Sequence, residues 1–434
     1  MSHEPLVIEK LVVGGLGLAR RLDGMVVLLP GVIPAEKVRV RAVKKKKTFH
    51  LAEPDEIVEA SPHRREPPCP YFGRCGGCHL QHIAAPYQDV VKKAIFCDEF
   101  RRSGLLFACE QSRYLAAPQP LAYRQRIRLH VRDGSFGFFA RHSHDLLAID
   151  ACLLARPEIN TVLAELSKAS GWQDVAGHVS ELEVQADPAD SSCLLIMRFS
   201  RKPRPADKKS LQGLLAGADR IKAIIVQSIE GASYFSLPEG PIHLHYQLTL
   251  AGTNQLLDMA LEAGGFCQVN VAQNQAMVDQ LLAWLAPLPR GRVLDLFCGM
   301  GNFSIPLAAT GMQVHGIDQQ RAAIRAARRN RHNNGLVCEF RRSAALQGLA
   351  ELVAAGETFD YVILDPPRSG FKEGSALLAA LRPVIMVYVS CDQATLLRDL
   401  RTICDQGYRI KAITLVDQFC QTCHLEAMVL LTAL

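Results

Sequence analysis

Apolar runs in the last third of the chain each meet a residue that can do chemistry. The run 293–297 carries Asp295, 314–317 ends in Asp318, 359–364 in Asp365, and 384–390 in Cys391. Glu426 stands just before a fifth run, 427–431. Short runs of this kind are buried parallel strands, and an α/β sheet binds its ligands at their carboxyl ends. Carboxylates gathered there suit a cationic ligand. A thiol there is either a packed small hydrophobe or a nucleophile, and the two ligand loops beside Cys391 favour the nucleophile. Glu426 can serve it as a base.

The loop after Asp295 narrows the ligand. Phe297-Cys298-Gly299-Met300-Gly301-Asn302-Phe303-Ser304 joins a strand to a helix that has Pro306 in its first turn and stops at Gly311. Its glycines let backbone approach a ligand closely. A dinucleotide fingerprint requires a third glycine where Ser304 stands. With Asp295 closing the strand, the loop instead suits S-adenosylmethionine, which carries a sulfonium and an ammonium. Asp318 is placed to bind two ribose hydroxyls. Gln268 and Asn270, just before the helical pattern 274–285, are amides for polar edges of cofactor or substrate, or else a helix cap. The rigid loop Asp365-Pro-Pro-Arg-Ser-Gly370 can lie against a planar base while Asp365 accepts a hydrogen bond from it.

Upstream, Cys69, Cys75 and Cys78 are spaced by five and then two residues, with Gly76-Gly77 between the last pair. Such a loop folds its thiolates around one metal centre and needs a fourth ligand. Cys152 is the first choice, with Cys97 and His82 behind it. Four thiolates fit either a structural zinc or an iron–sulfur cluster. Residues 5–60 alternate short apolar clusters with Gly14-Gly15, Asp23-Gly24 and Pro30-Gly31, the pattern of a small five-strand barrel that binds oligonucleotides. Between them, 126–139 reads as a hairpin turning at Asp133-Gly134, followed by a mixed α/β stretch to about 250.

The 434 residues carry a net charge of +6, and residues 1–50 alone hold ten Lys/Arg against four Asp/Glu. That asymmetry, with Lys44 to Lys47 on the barrel, points to a polyanion. No signal-peptide pattern or membrane-length apolar run is present, and fourteen cysteines then argue for a reducing, cytoplasmic setting.

Taken together these motifs resemble the RNA uracil-5-methyltransferase family along the whole chain. The family shows Phe-x-Gln-x-Asn, Asp-Leu-Phe-Cys-Gly-x-Gly-Asn-Phe, Asp-Pro-Pro-Arg-x-Gly, Tyr-Val-Ser-Cys and His-x-Glu, which stand here at 266–270, 295–303, 365–370, 388–391 and 424–426. Its 23S ribosomal-RNA branch adds a Cys-x5-Cys-Gly-Gly-Cys loop holding a [4Fe–4S] cluster and an N-terminal barrel called the TRAM domain. The resemblance implies an α/β multidomain protein: a TRAM-like RNA-binding barrel over 1–62, a central α+β domain with the cluster loop over 63–255, and a Rossmann-like methyltransferase domain over 256–434. It implies Cys69, Cys75, Cys78 and Cys152 as cluster ligands, with Gln268, Phe297, Asn302, Asp318 and Asp365 around cofactor or target base. Cys391 matches the nucleophile and Glu426 the base. The expected partner is RNA, ribosomal rather than transfer, met by a monomer without membrane contact. The competing readings are a nicotinamide dehydrogenase, a tRNA uridine-C5 or RNA cytosine-C5 methyltransferase, and a non-catalytic RNA-binding protein. The last draws on one departure: the family follows its cysteine with Asn-Pro, and this chain has Asp392-Gln393. A carboxylate beside a thiolate disfavours it unless it is hydrogen-bonded elsewhere. A second departure puts Cys420 where the family has proline, in Asp417-Gln-Phe-Cys.

Overall fold

The computed structural model describes residues 5–253 and 255–434. Strands Leu6–Val12, Leu16–Arg20, Val26–Leu29, Lys37–Lys45 and His50–Glu59 close into a barrel around Ile8, Ala19, Val27, Leu29 and Val38. Gly14, Gly15, Gly24 and Gly31 take positive φ at its turns, as their placement in the sequence predicts. The outer charges are less free than composition suggests. Lys37, Arg39 and Arg41 pair across the ladder with Glu59, Glu56 and Glu53. Lys44 to Lys47 are exposed and, among the described residues, enter no ion pair.

The middle of the chain builds a seven-stranded sheet in the order Ser233–Leu237, Ile221–Ser228, Cys193–Phe199, Val179–Ala186, Arg126–Arg132, Ser135–Phe139, Leu146–Ala148. The expected hairpin is there, with Asp133 and Gly134 both at positive φ in its turn.

The last third forms an eight-stranded sheet. Glu339–Arg342, Gln313–Asp318, Arg292–Leu296, Tyr361–Leu364 and Ile385–Ser390 run parallel. Their side chains are buried on both faces: Val293, Ile363 and Val387 join one core, and Leu294, Leu364 and Met386 the other. Glu426–Ala433 then enters antiparallel between Ile385–Ser390 and Tyr408–Val416. The sheet also reaches outside 256–434, because Arg113–Leu115 pairs parallel with Tyr408–Val416 at its edge. The helix Ala85–Ser103 packs Phe96 and Phe100 into the same core.

Of the two fallback metal ligands, Cys97 falls away, and His82 does not line the cavity that the four other cysteines share, although its Nδ1 is buried without a hydrogen-bond partner. Cys97 is bonded to Cys109 within that core. The His82 imidazole, buried, donates from Nε2 to the Val32 carbonyl at 3.2 Å, against the barrel.

Candidate active site

Parallel strands end at one edge of a sheet, and an antiparallel neighbour begins there. This brings together residues that lie far apart in sequence. Asp295, Asp318, Asp365 and Cys391 stand at or next to the carboxyl ends of four parallel strands. The register pairs Ser390 with Ala427 and Val416 with Glu426, so Glu426 opens its strand beside Cys391.

At the glycine loop, Asp295 is 1% exposed. Ser304 donates its hydroxyl to Oδ2, and Oδ1 is buried with no hydrogen-bond partner. Burial, then the neighbouring Asp365 and Asp318, push this carboxyl up to about 7. Gly301, at φ 89°, would carry a Cβ 2.9 Å from Ile305, so only glycine fits. Asp318 holds the loop from below, accepting from the Gly299 amide at 3.0 Å and the Gln320 amide at 2.7 Å. Phe297 is left-handed at φ 64°, with its ring edge-on to Phe371 at 5.0 Å. A phenylalanine in that region costs about 1–3 kcal/mol, strain of the kind that gathers at ligand sites.

The amides have separate fates. Asn302 exchanges hydrogen bonds with Asn274 (2.8 and 2.9 Å) and accepts from the Tyr246 hydroxyl at 3.1 Å, so its side chain is committed to helix Val271–Leu285 and hairpin 243–262. Asn270 caps that helix, accepting from the Gln273 amide. Gln268 accepts at Oε1 from Gln418 Nε2 (2.9 Å), while its backbone carbonyl accepts from Gln125 (2.7 Å). That ties the Phe-x-Gln-x-Asn segment to the loop ahead of Glu426.

At the reacting end, burial raises Asp365 to about 7. The Cys391 thiol is pushed up to about 11, by burial first and then by Glu426, with the Arg368 guanidinium pulling it back through its charge and a hydrogen bond. Glu426 is 3% exposed; burial, then Asp365, lift its carboxyl well above the ordinary range, opposed again by Arg368. Arg368, itself exposed, is thus a cation whose charge favours the ionised form of both groups. The signal for Arg368 in the sequence is a basic residue directly after Asp365-Pro-Pro at an edge rich in carboxylates.

Asp392 faces away. Its Oδ1 caps helix Gln393–Cys404, accepting from the Thr395 amide (2.9 Å) and hydroxyl (3.0 Å). The departure from the family pattern is therefore absorbed in a helix cap.

The four thiols predicted as a ligand set are free and half-buried, and all of them line one cavity of about 470 Å³ with Arg124, Arg126 and Phe266. Burial raises Cys75, Cys78 (to about 12) and Cys152, and neighbouring thiols of the set add to it. Among the described residues no group of three or more His, Cys, Asp or Glu side chains is arranged to hold a metal ion.

Sequence reasoning also missed a buried ion pair. Lys92, 1% exposed, donates to Asp417 at 2.6 Å and to the Phe419 carbonyl at 3.1 Å, fastening helix Ala85–Ser103 to the loop ahead of Glu426. Nothing local marks this lysine, because its partner lies at the other end of the chain. Lys92→Met leaves Asp417 buried and unpaired. We expect a loss of about 3–5 kcal/mol in urea unfolding, most of it recovered when Asp417→Leu is added.

With this geometry in hand, likeness to known proteins becomes informative. Residues 243–434 match the family profile described as tRNA (Uracil-5-)-methyltransferase. The 23S rRNA (uracil(1939)-C(5))-methyltransferase of Pseudomonas putida is 36% identical, over 100% of this chain and 94% of that protein. Its counterpart in Acidithiobacillus ferrooxidans is 35% identical, over 98% and 97%. Among solved structures, the Pyrococcus abyssi tRNA (uracil-54, C5)-methyltransferase with S-adenosyl-L-homocysteine superposes at a TM-score of 0.77, with 24% identity and full coverage of both chains, and supports the fold.

Proposed function

Since the chain belongs to the RNA uracil-5-methyltransferase family, in its 23S rRNA branch, we propose that it adds a methyl group to carbon 5 of a uridine in 23S ribosomal RNA. The uridine is the counterpart of the uracil 1939 named for its relatives, and the reaction takes place in the cytoplasm, where that RNA is made. Among the described residues no helix is long and apolar enough to cross a membrane. What supports the reading is that Asp365, Cys391 and Glu426 stand at the strand ends of the edge that also holds the glycine loop, with Arg368 in the loop that follows Asp365.

S-adenosylmethionine, when bound, supplies an electrophilic methyl group on a sulfonium. The orphaned Oδ1 of Asp295 fits its cationic part, and Asp318 can take ribose hydroxyls in place of loop amides. Gln268, Phe297 and Asp365 line the adjoining ground, Asp365 accepting a hydrogen bond from the uracil edge. Asn302 acts through its network, by setting the turn after Gly301.

Carbon 5 of uracil is a weak nucleophile until carbon 6 is attacked. Cys391 Sγ bonds to carbon 6, the ring becomes an enolate, and carbon 5 takes the methyl group. Glu426 then removes the proton from carbon 5, and the electron pair expels the Cys391 thiolate. Arg368 stabilises that thiolate before attack and after release. The target base must leave its stack to reach this edge. Lys44 to Lys47 give the barrel phosphate contacts that position RNA without reading its sequence.

The set Cys69, Cys75, Cys78 and Cys152 matches a [4Fe–4S] cluster in ligand number and type, and the four thiols share one cavity. Such a cluster would cross-link the loop to the central sheet; no step of methyl transfer runs through it.

The test is methyl transfer from labelled S-adenosylmethionine to 23S rRNA from cells lacking the enzyme. Label is expected in 5-methyluridine at one position. Label in 5-methylcytidine, or none, sinks the reading.

A further inference from the structure

The loop 417–425 leads into Glu426, and Gln421 is its most heavily bonded residue. It is fully buried and, unlike most non-glycine residues, left-handed at φ 64°. Its carbonyl accepts from two consecutive amides, His79 (2.9 Å) and Leu80 (3.0 Å), which directly follow Cys78. Its Oε1 accepts from Gln88 Nε2 (3.0 Å) and Arg65 Nη2 (3.2 Å), and its Nε2 donates to the Pro120 carbonyl at 3.4 Å. Gln88, itself buried, also donates to the Leu80 and Ile83 carbonyls, closing the ring around the same loop end.

The rest of 417–425 is held by other elements. Asp417 and Phe419 are fixed by Lys92, and Tyr123 donates its hydroxyl to the Cys420 carbonyl at 3.1 Å. Within the loop, the Thr422 hydroxyl donates to the Phe419 carbonyl (2.7 Å) and accepts from the His424 amide (3.2 Å). The chain from Gln421 to Glu426 is therefore short and braced, and displacement at one end is carried to the other. The two backbone bonds of Gln421 tie it to the residues next to Cys78.

We propose that Gln421 is a positioning residue that locks the loop carrying Glu426 to the segment just after Cys78 and so sets the aim of the base. This rests on the function proposed above. A left-handed backbone at a non-glycine position is strained and persists only where the surroundings over-determine it. Here five hydrogen bonds from three segments do so. Proton removal from carbon 5 is the step most exposed to a loosened loop, because a shift of about 1 Å can cost up to about 10²-fold in rate. Attack by Cys391 depends on a different strand.

The test compares full-length wild type, Gln421→Met, Arg65→Met and Glu426→Gln by steady-state kinetics and by denaturing gels that reveal methylated RNA joined to protein. Gln421→Met keeps the volume and removes the side-chain bonds; Arg65→Met removes one of them, together with the bond from Arg65 Nε to the Gln81 carbonyl (2.9 Å), from a partly exposed position. The expected result is a fall in kcat of about tenfold or more for Gln421→Met and a smaller one for Arg65→Met. The KM for RNA should stay within about twofold of wild type, and the RNA–protein adduct should be enriched in both variants. Variants that melt as wild type does yet show no enrichment overturn the proposal, and if Gln421→Met does not fold, Arg65→Met decides. Should Glu426→Gln itself trap no adduct, the proposed mechanism falls and takes this inference with it.

Discussion

Cys391→Ala is expected to bind S-adenosylmethionine and RNA as the wild type does and to form no 5-methyluridine, a loss of at least about 10⁴-fold in kcat. Without a bond to carbon 6 there is no enolate, and no other group at this edge can replace a thiolate. The same residue fixes the sign of the pH dependence. Burial, with Glu426 beside it, holds the free enzyme's thiol up to about 11, so the thiolate fraction at pH 7 is on the order of 10⁻⁴. Glu426 is lifted as well, and it too must lose its proton to act. Both groups are more active when deprotonated, so kcat/KM for wild type, which reports the free enzyme, should climb from pH 6 to pH 9. A flat or falling profile over that range, or residual 5-methyluridine in the alanine variant, removes Cys391 from the role given it here.

Glu426→Gln is expected to stop the reaction later. The amide has nearly the shape of the carboxylic acid and cannot accept a proton. Carbon 5 takes its methyl group and keeps its hydrogen, and the bond between Sγ and carbon 6 has nothing to break it. Turnover should fall by about 10²–10⁴-fold, and an RNA–protein conjugate labelled by the transferred methyl should survive denaturing electrophoresis. If turnover falls and no conjugate forms, Glu426 acts before methyl transfer rather than after it. The pair of variants thus orders the two steps: one leaves RNA untouched, the other leaves it bound.

Much of this edge was legible because a parallel sheet is a strong rule. Buried strands announce themselves as apolar runs, and whatever follows them stands at the carboxyl edge; Asp318, Asp365 and Cys391 needed no more than that. Asp295 was readable from the missing third glycine. What the sequence left dark depends on pairing over long spans. Nothing near Arg113 says that it borders Thr414, nothing near Lys92 points to Asp417, and nothing near Gln421 names His79. The amides show a different limit. Gln268 and Asn270 read as ligand amides or as a helix cap, and Asn302 as a ligand neighbour only through the resemblance; the fold makes Asn270 the cap, ties Gln268 to Gln418 and pairs Asn302 with Asn274. In the barrel, the strand Leu16–Arg20 passed unnoticed because glycine and arginine dilute its apolar pattern. Asp392 shows how a local rule misleads, since adjacency in sequence suggested repulsion and the helix start turned the carboxylate aside.

The antiparallel strand that brings Glu426 to the edge also sets an order in time. A chain is made from its amino end, so the cofactor loop and the nucleophile exist before the base does. Until Glu426–Ala433 slides between Ile385–Ser390 and Tyr408–Val416, the nascent sheet has a gap beside its reacting thiol. On the mechanism proposed above, the base that would release a methylated uracil is therefore the last part of this edge to be made.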